Sequence, residues 1–423
     1  MAVPRQHIRL PRGAWRRALQ SGLTGQLWQG EDVPRFEQAF ADTVGTSNAI
    51  AVSSGRAGLQ AILQSLNLPP GSEVICPAFG YPVVPHLVRA LGYSVKFVDC
   101  EMRTLGMDPA LVAEAVTDQT AAIIAVHLYG VPCRIREIAD IAAQRGIPMI
   151  EDCAHCLGAR VGGRHVGTFG TVSYFSFETS KMINTLGGGM IISDDSELAG
   201  QIRTLAEGDH NKGMRWLLNR LCKTTFEHTV TSPIPFNLSV YPALRLAAAR
   251  KGEDSPFASG YTADHFTMAG RTGRYTNYQA RLGLVELEQA PALLERRLEN
   301  ARRLMDAVRP QVALQEAWDA DAEANFMLVT GLFPDRAAIS AALLRRGVDT
   351  KHHYMRDCSR ALQTGEHFEL ASRAEAEVLH IPCFPEMSAR QIDFVSEAVC
   401  AVAGPRADVT VADQPQQSVA SVL

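Results

Sequence analysis

The sequence predicts an α/β fold, a large domain built on a mainly parallel sheet with helices on both faces, followed by a smaller α+β domain. Three observations predict it. Over the first 200 residues short apolar runs alternate with helix-periodic stretches. The runs are apolar enough to be strands buried on both faces, which is how parallel sheets are covered. The chain is 423 residues long, 46% hydrophobic and 20% charged, enough for a substantial core and more than one domain.

Along the chain, residues 49–52 read as a strand and 57–66 as the helix that follows. Further strands are expected at 73–76, 94–98, 121–126, 148–150 and 190–193. Residues 135–145 have a clear amphipathic period, closed by Gly146. From about 207 to 271 the pattern changes: Trp216, Leu217, Leu218 and Leu221 are interleaved with Arg215, Arg220 and Lys223, and Pro-containing and Gly/Asp-rich stretches follow. A helix is expected again over 282–303, a strand over 325–330 and a helix over 336–346. These patterns divide the chain into an N-terminal arm (1–24), a large domain (25–280, with 207–271 as a long insertion), a small domain (281–404) and a polar, disordered tail (405–423).

Composition narrows the function. A net charge of −4 gives no overall positive field for nucleic acid. No run approaches the ~20 apolar residues of a membrane span. Residues 1–17 are basic but lack the apolar core of a secretory signal. A cytoplasmic protein with nine reduced cysteines is expected. Cys153 and Cys156 form a C-x-x-C around His155, but no second pair has metal-ligand spacing. Two buried thiols and no metal are therefore expected.

In parallel sheets ligands meet the carboxyl ends of the strands, so chemistry is sought just after each apolar run. Asp152 closes one run; it suits a ligand contact or a helix N-cap. Residues 53–58 (Ser53-Ser54-Gly55-Arg56-Ala57-Gly58) link a strand to a helix and suit either a tight turn or an anion seat at a helix N-terminus. Lys181 follows Phe175-Ser176-Phe177-Glu178-Thr179-Ser180 and precedes Gly187-Gly188-Gly189. It is either a solvated surface lysine or, if buried among aromatics, an amine of lowered pKa able to act as nucleophile or base.

Several motifs in order resemble the DegT/DnrJ/EryC1/StrS sugar aminotransferase family. They are Gly30-Glu-Asp-Val33-Pro-Arg-Phe36-Glu37, Val52-Ser-Ser-Gly55-Arg-Ala57, Pro77-Ala-Phe79-Gly-Tyr81, Val126-His127-Leu128-Tyr129-Gly130, Glu151-Asp152-Cys-Ala154-His155, Phe175-Ser176-Phe177 through Lys181, and Ile381-Pro382 to Ile392-Asp393. The resemblance implies the pyridoxal-phosphate (PLP) transferase fold, with a seven-stranded sheet, and an aminotransferase. Lys181 would bond the cofactor and shuttle a proton. Asp152 would face the ring nitrogen, Tyr81 would stack on the ring and His155 would contact its hydroxyl. Gly55, Arg56 and Ser176 would hold the phosphate. The implied partners are an amino-acid donor (glutamate or glutamine), a keto-sugar acceptor carried on a nucleotide, and a second copy of the chain in a homodimer. Cyclitol or lipid-linked ketones are the alternative acceptors. Dehydratase relatives carry His at the lysine position, whereas Lys181 is retained here; a regulatory PLP protein would not need the proton shuttle.

The sequence also departs from the family. Arg56 stands where Thr is usual, Met182 where Asn is usual, and Leu186 opens the glycine run without the usual Gly-Glu. Thr272-Gly273-Arg274-Tyr275 replaces the N-x-R-M that supplies an Asn to the partner subunit. The insertion is expected to be a lid or dimer contact. The alternative is a peripheral membrane contact through 214–223, with Trp216 and the leucines on lipid.

Overall fold

The structure, a computed structural model, describes residues 1–207, 212–251, 274–351 and 355–404. Thr272, much of the expected insertion and the tail 405–423 lie outside the described residues. The sheet comprises β1 (Asn48–Val52), β2 (Glu73–Pro77), β3 (Ser94–Val98), β4 (Thr120–Val126), β5 (Met149–Asp152), β6 (Val172–Ser176) and β7 (Gly189–Ser193). Their order is β1-β7-β6-β5-β4-β2-β3. All neighbours are parallel except β7, which runs antiparallel to both β1 and β6.

Side chains alternate between the two faces of a strand, so an apolar residue at nearly every position fills two cores. Ile50, Val52, Val74, Ile124 and Ile191 pack on one face against α3 (Gly55–Ser65), α4 (Val83–Ala90) and α7 (Ser196–Glu207). Ala49, Ala51, Ile75, Ile123 and Met149 pack on the other against α2 (Asp32–Val44), α5 (Pro109–Ala115) and α6 (Ile135–Gln144). Burying one such Ile, Leu or Phe contributes about 1.5–3 kcal/mol. The sheet therefore has a rigid frame, and its strand ends are fixed points for side chains. Strand β6 was not among those expected from the sequence.

The small domain is a three-stranded antiparallel sheet of Ala313–Leu314, Val329–Leu332 and Val378–Ile381. Two helices pack on it, α8 (Asn277–Val308) and α9 (Ala389–Ala403), joined in one core by Leu304, Val308, Ile392 and Val395. The helix expected over 282–303 starts earlier because Thr276 and Gln279 form a reciprocal capping box. It is continuous through 280/281, so the expected domain boundary falls inside a helix shared by both cores.

The strand expected over 325–330 begins only at Val329. Asn325 instead bonds the loop across from it: its Nδ2 donates to the carbonyls of His155 (2.9 Å) and Leu157 (2.8 Å), and its Oδ1 accepts from Met327 N–H (2.8 Å). Gly130 abuts this network with φ +98°, and a Cβ there would lie 2.0 Å from Asn325 Oδ1 and 2.4 Å from Met327 N. Gly130→Ala is therefore expected to cost about 3 kcal/mol or more in urea unfolding. An unchanged unfolding midpoint would show that the turn is not constrained.

The insertion corrects part of the alternative membrane expectation. Its first described helix (Met214–Thr231) turns Leu217 and Leu221 inward, into a cluster with Ala14, Leu27, Leu186, Tyr278 and Leu282, and Trp216 packs on that cluster. Lys212 Nζ lies 4.5 Å from the Trp216 ring centroid. These side chains face protein and cannot lie on lipid. No helix among the described residues is long and apolar enough to cross a membrane.

Candidate active site

The parallel strands end around one cavity of about 550 Å³. All seven residues singled out in the sequence line it: Gly55, Arg56, Tyr81, Asp152, His155, Ser176 and Lys181. They come from the carboxyl ends of β1, β2, β5 and β6 and the loops that follow.

Asp152 is the last residue of β5 and is buried. Its Oδ1 accepts from Ala154 N–H (2.9 Å) and its Oδ2 from the Tyr174 hydroxyl (2.5 Å). Burial pushes its pKa up, while these two donors and Lys181 pull against that rise. Burial also pushes the Tyr174 hydroxyl up, so it stays protonated and remains the donor. Tyr174 is the register partner of Asp152 across β5 and β6. Sequence reasoning missed it, because register between distant strands leaves no local mark.

Lys181 is brought down to about 8 by burial, opposed by the charge of Asp152. Roughly a tenth of it is neutral at pH 7, against under a thousandth for an exposed lysine. Its loop is held tightly. Lys181 N–H bonds the Glu178 carbonyl (2.9 Å), and Phe177 N–H bonds the Gly188 carbonyl (2.9 Å). The Gln279 amide donates to the carbonyls of Thr185 (3.1 Å) and Gly187 (2.7 Å). Gly188 sits at φ +117°, where a Cβ would lie 2.3 Å from the Tyr275 ring; only glycine fits there.

Ser54 caps α3, its Oγ accepting from Ala57 N–H (3.1 Å). The first turn, Gly55 and Arg56, lines the cavity beside Ser176. A Cβ on Gly55 would already touch the Ser176 Cβ at 3.4 Å, so glycine keeps the helix end and the hydroxyl side by side. A helix N-terminus, a guanidinium and a hydroxyl together suit an anion.

His155 is buried, and burial with the nearby Lys181 charge lowers its pKa well below the ordinary value. Its Nδ1 accepts from Tyr129 N–H (3.1 Å), which leaves the proton on Nε2. Below it, Glu151 accepts from Gly167 N–H (2.8 Å) and Gly170 N–H (2.6 Å) and meets His127 Nε2 at 3.2 Å. Cys153 joins His127 and Glu151 in one buried cluster. Burial raises both Cys153 and Cys156 and keeps them thiols, with Cys156 near 12.

Other cavity residues escaped the sequence analysis. Lys351, from the small domain, is lowered to about 8 by burial. From the insertion come Arg220, Lys223 and Glu227, and from the N-terminal arm Gln6 and Ile8. Arg220 Nη1 pairs with Glu178 Oε1 at 2.7 Å. Lysines and arginines here number five (Arg56, Lys181, Arg220, Lys223, Lys351) against three acids (Asp152, Glu178, Glu227).

Tyr174→Phe tests the support of Asp152. Losing a hydrogen bond to a charged group costs about 1.5–3 kcal/mol. The carboxyl pKa should rise, moving the acid limb of the kcat/KM profile to higher pH with a ten- to hundred-fold loss in rate. An unmoved profile would mean that the bond does not hold the carboxylate ionised.

The model of the DegT/DnrJ/EryC1/StrS aminotransferase family matches residues 14–400. DesV of S. venezuelae is similar in structure with a TM-score of 0.73 and 25% identity, covering 96% of this chain and all of DesV (100%). The aminotransferase TlmJ of Streptoalloteichus hindustanus matches at TM-score 0.73 and 23% identity, covering 95% and 98%. The E. coli GDP-4-keto-6-deoxy-D-mannose-3-dehydratase, solved with hydrated PLP, matches at TM-score 0.72 and 21% identity, covering 95% and 100%. The last two show likeness of fold.

Proposed function

This chain belongs to the DegT/DnrJ/EryC1/StrS family of PLP-dependent aminotransferases, and from that premise we propose that it moves an amino group from glutamate or glutamine to a keto-sugar carried on a nucleotide. The observation that carries the site is the meeting of Lys181, Asp152 and the α3 N-terminus at one cavity.

The residues fit the cofactor. The α3 N-terminus, Arg56 and Ser176 would hold its phosphate, and the buried Asp152 would hold the ring N–H. When bound, PLP supplies an electron sink for the pair left at the donor's α-carbon. Asp152, kept in place by Tyr174 and Ala154, would hold the proton at the ring nitrogen through a charge-assisted hydrogen bond. Lys181 Nζ, with a pKa near 8, can hold and release a proton around neutrality, and it moves the proton at the donor's α-carbon. His155, protonated on Nε2, would donate toward the ring hydroxyl. Tyr81 would lie against the ring and limit its tilt, a contribution of positioning.

Lys351, which lines the cavity and is assigned no part in holding the cofactor, favours an acceptor bearing an anionic group, such as a sugar diphosphate, over a neutral cyclitol. The working unit of this proposal is an isologous homodimer in the cytoplasm. The test is amination of a panel of keto-sugar nucleotides and neutral keto-cyclitols by the PLP-loaded enzyme with each donor. Preference for the nucleotide-linked acceptors by about a hundred-fold in kcat/KM is expected, equivalent to one or two retained ion pairs. Equal or better use of neutral ketones would overturn the acceptor assignment.

A further inference from the structure

Ten of the thirteen large apolar side chains exposed among the described residues fall in two segments, 1–23 and 212–250. The segments lie side by side as one layer. Ala2 N–H donates to Asn237 Oδ1 (2.7 Å), Ile8 N–H to Thr231 Oγ1 (3.1 Å) and Trp15 Nε1–H to Thr225 Oγ1 (2.9 Å). In the helix Ala14–Leu23, Trp15, Leu19 and Leu23 recur every fourth residue and form one exposed face. In Met214–Thr231, Leu218 and Phe226 stand on an outward face, while Leu217 and Leu221 enter the core and Arg220 and Glu227 line the cavity. Ile234 (72% exposed) and Leu238 (77%) extend the apolar surface. Neither the core nor the cavity accounts for this face.

Its charge identifies what would cover it. The same two segments hold eleven Arg and Lys residues and one acid, Glu227, in a chain of net charge −4. Arg5, Arg9 and Arg220 are engaged with carboxylates of the fold. Arg12, Arg16, Arg215 and Arg245 are exposed. Apolar ridges flanked by arginines, with almost no acid, match the interface of an anionic bilayer. A second copy seated on the same patch about a two-fold axis would bring like charges together.

We infer that this layer, the N-terminal helix with the outward face of the insertion helices, docks on an anionic lipid surface. The docking helix is the one that walls the cavity, so the bound enzyme holds its cavity beside the headgroups. Of the side chains expected on lipid, Leu218 stays on this surface and Phe226 joins it, whereas Trp216, Leu217 and Leu221 pack against protein.

The test sediments the full chain with vesicles of phosphatidylglycerol and phosphatidylethanolamine, and with vesicles of phosphatidylcholine alone. Wild type is expected to partition onto the anionic vesicles about ten-fold more strongly, and to be released by about 0.5 M salt. Leu218→Ser/Phe226→Ser and Arg16→Glu/Arg215→Glu should each lose about ten-fold in partition. All four positions are exposed and none lines the cavity, so both variants should keep wild-type activity on soluble acceptors. Equal partition onto both vesicle types, or variants that bind like wild type, overturns the inference. So does a wild type that ignores vesicles while Leu218→Ser/Phe226→Ser shifts from dimer to monomer in sedimentation velocity, which would assign the face to a second copy.

Discussion

Lys181→Met is expected to lower transamination by at least about 10⁴-fold, because in the proposed mechanism it removes both the amine that bonds the cofactor and the base that moves the α-proton. The substitution keeps most of the apolar stem, so the cavity wall should stand. Stability separates this effect from unfolding. Burial lowers the Lys181 pKa from 10.5 to about 8. Between those values the unfolded chain binds the proton that the folded chain has lost, so stability rises with pH across this window. Below pH 8 the folded protein bears the full cost of a buried ammonium, about 3 kcal/mol at most. The cofactor-free Lys181→Met protein should therefore be more stable than wild type below pH 8, with the difference fading toward pH 10.5. Urea unfolding at pH 7 and pH 10 measures it. A variant less stable than wild type at pH 7 would mean that the ammonium is well solvated or paired.

Asp152→Asn should lower kcat by about 10³-fold while the fold and cavity persist. The amide carbonyl can still accept from Tyr174, but it carries no charge to hold a proton on the ring nitrogen. The electron pair left at the donor's α-carbon then has a poorer sink. Because the charge acts on the reacting state more than on substrate binding, kcat should fall far more than KM changes. A kcat within ten-fold of wild type, with donor and cofactor saturating, would remove Asp152 from the chemistry.

Much of this site was legible in the sequence for a definite physical reason. Strands buried on both faces must be apolar throughout, so a polar residue at the end of such a run stands out, as Asp152 does. The βα turn at Ser54 and Gly55 and the run before Lys181 each had a bland reading as well, and it was the ordered set of family motifs that gave them roles. What escaped depended on register and long-range contact. Tyr174 faces Asp152 because β6 pairs with β5 in one register and not another. Lys351 reaches the cavity from the small domain. Which side of the insertion helix is buried was not legible, because it carries apolar residues on two sides. Leu217 and Leu221 lie on one and Leu218 and Phe226 on the other, and only the position of residues 1–23 decides which is buried. The strand β7 was expected at 190–193, but its antiparallel direction was not legible, since a buried apolar run carries no mark of strand direction.

Two lysines of lowered pKa, Lys181 and Lys351, line the same cavity, so the assignment of the cofactor-bonding amine can be tested chemically. Borohydride reduction of the PLP-loaded enzyme, followed by protease digestion and mass spectrometry, fixes the phosphopyridoxyl group on whichever amine carried it. The account predicts the label on the Lys181 peptide alone. A label on the Lys351 peptide, or an enzyme that turns over with no labelled lysine, would contradict it.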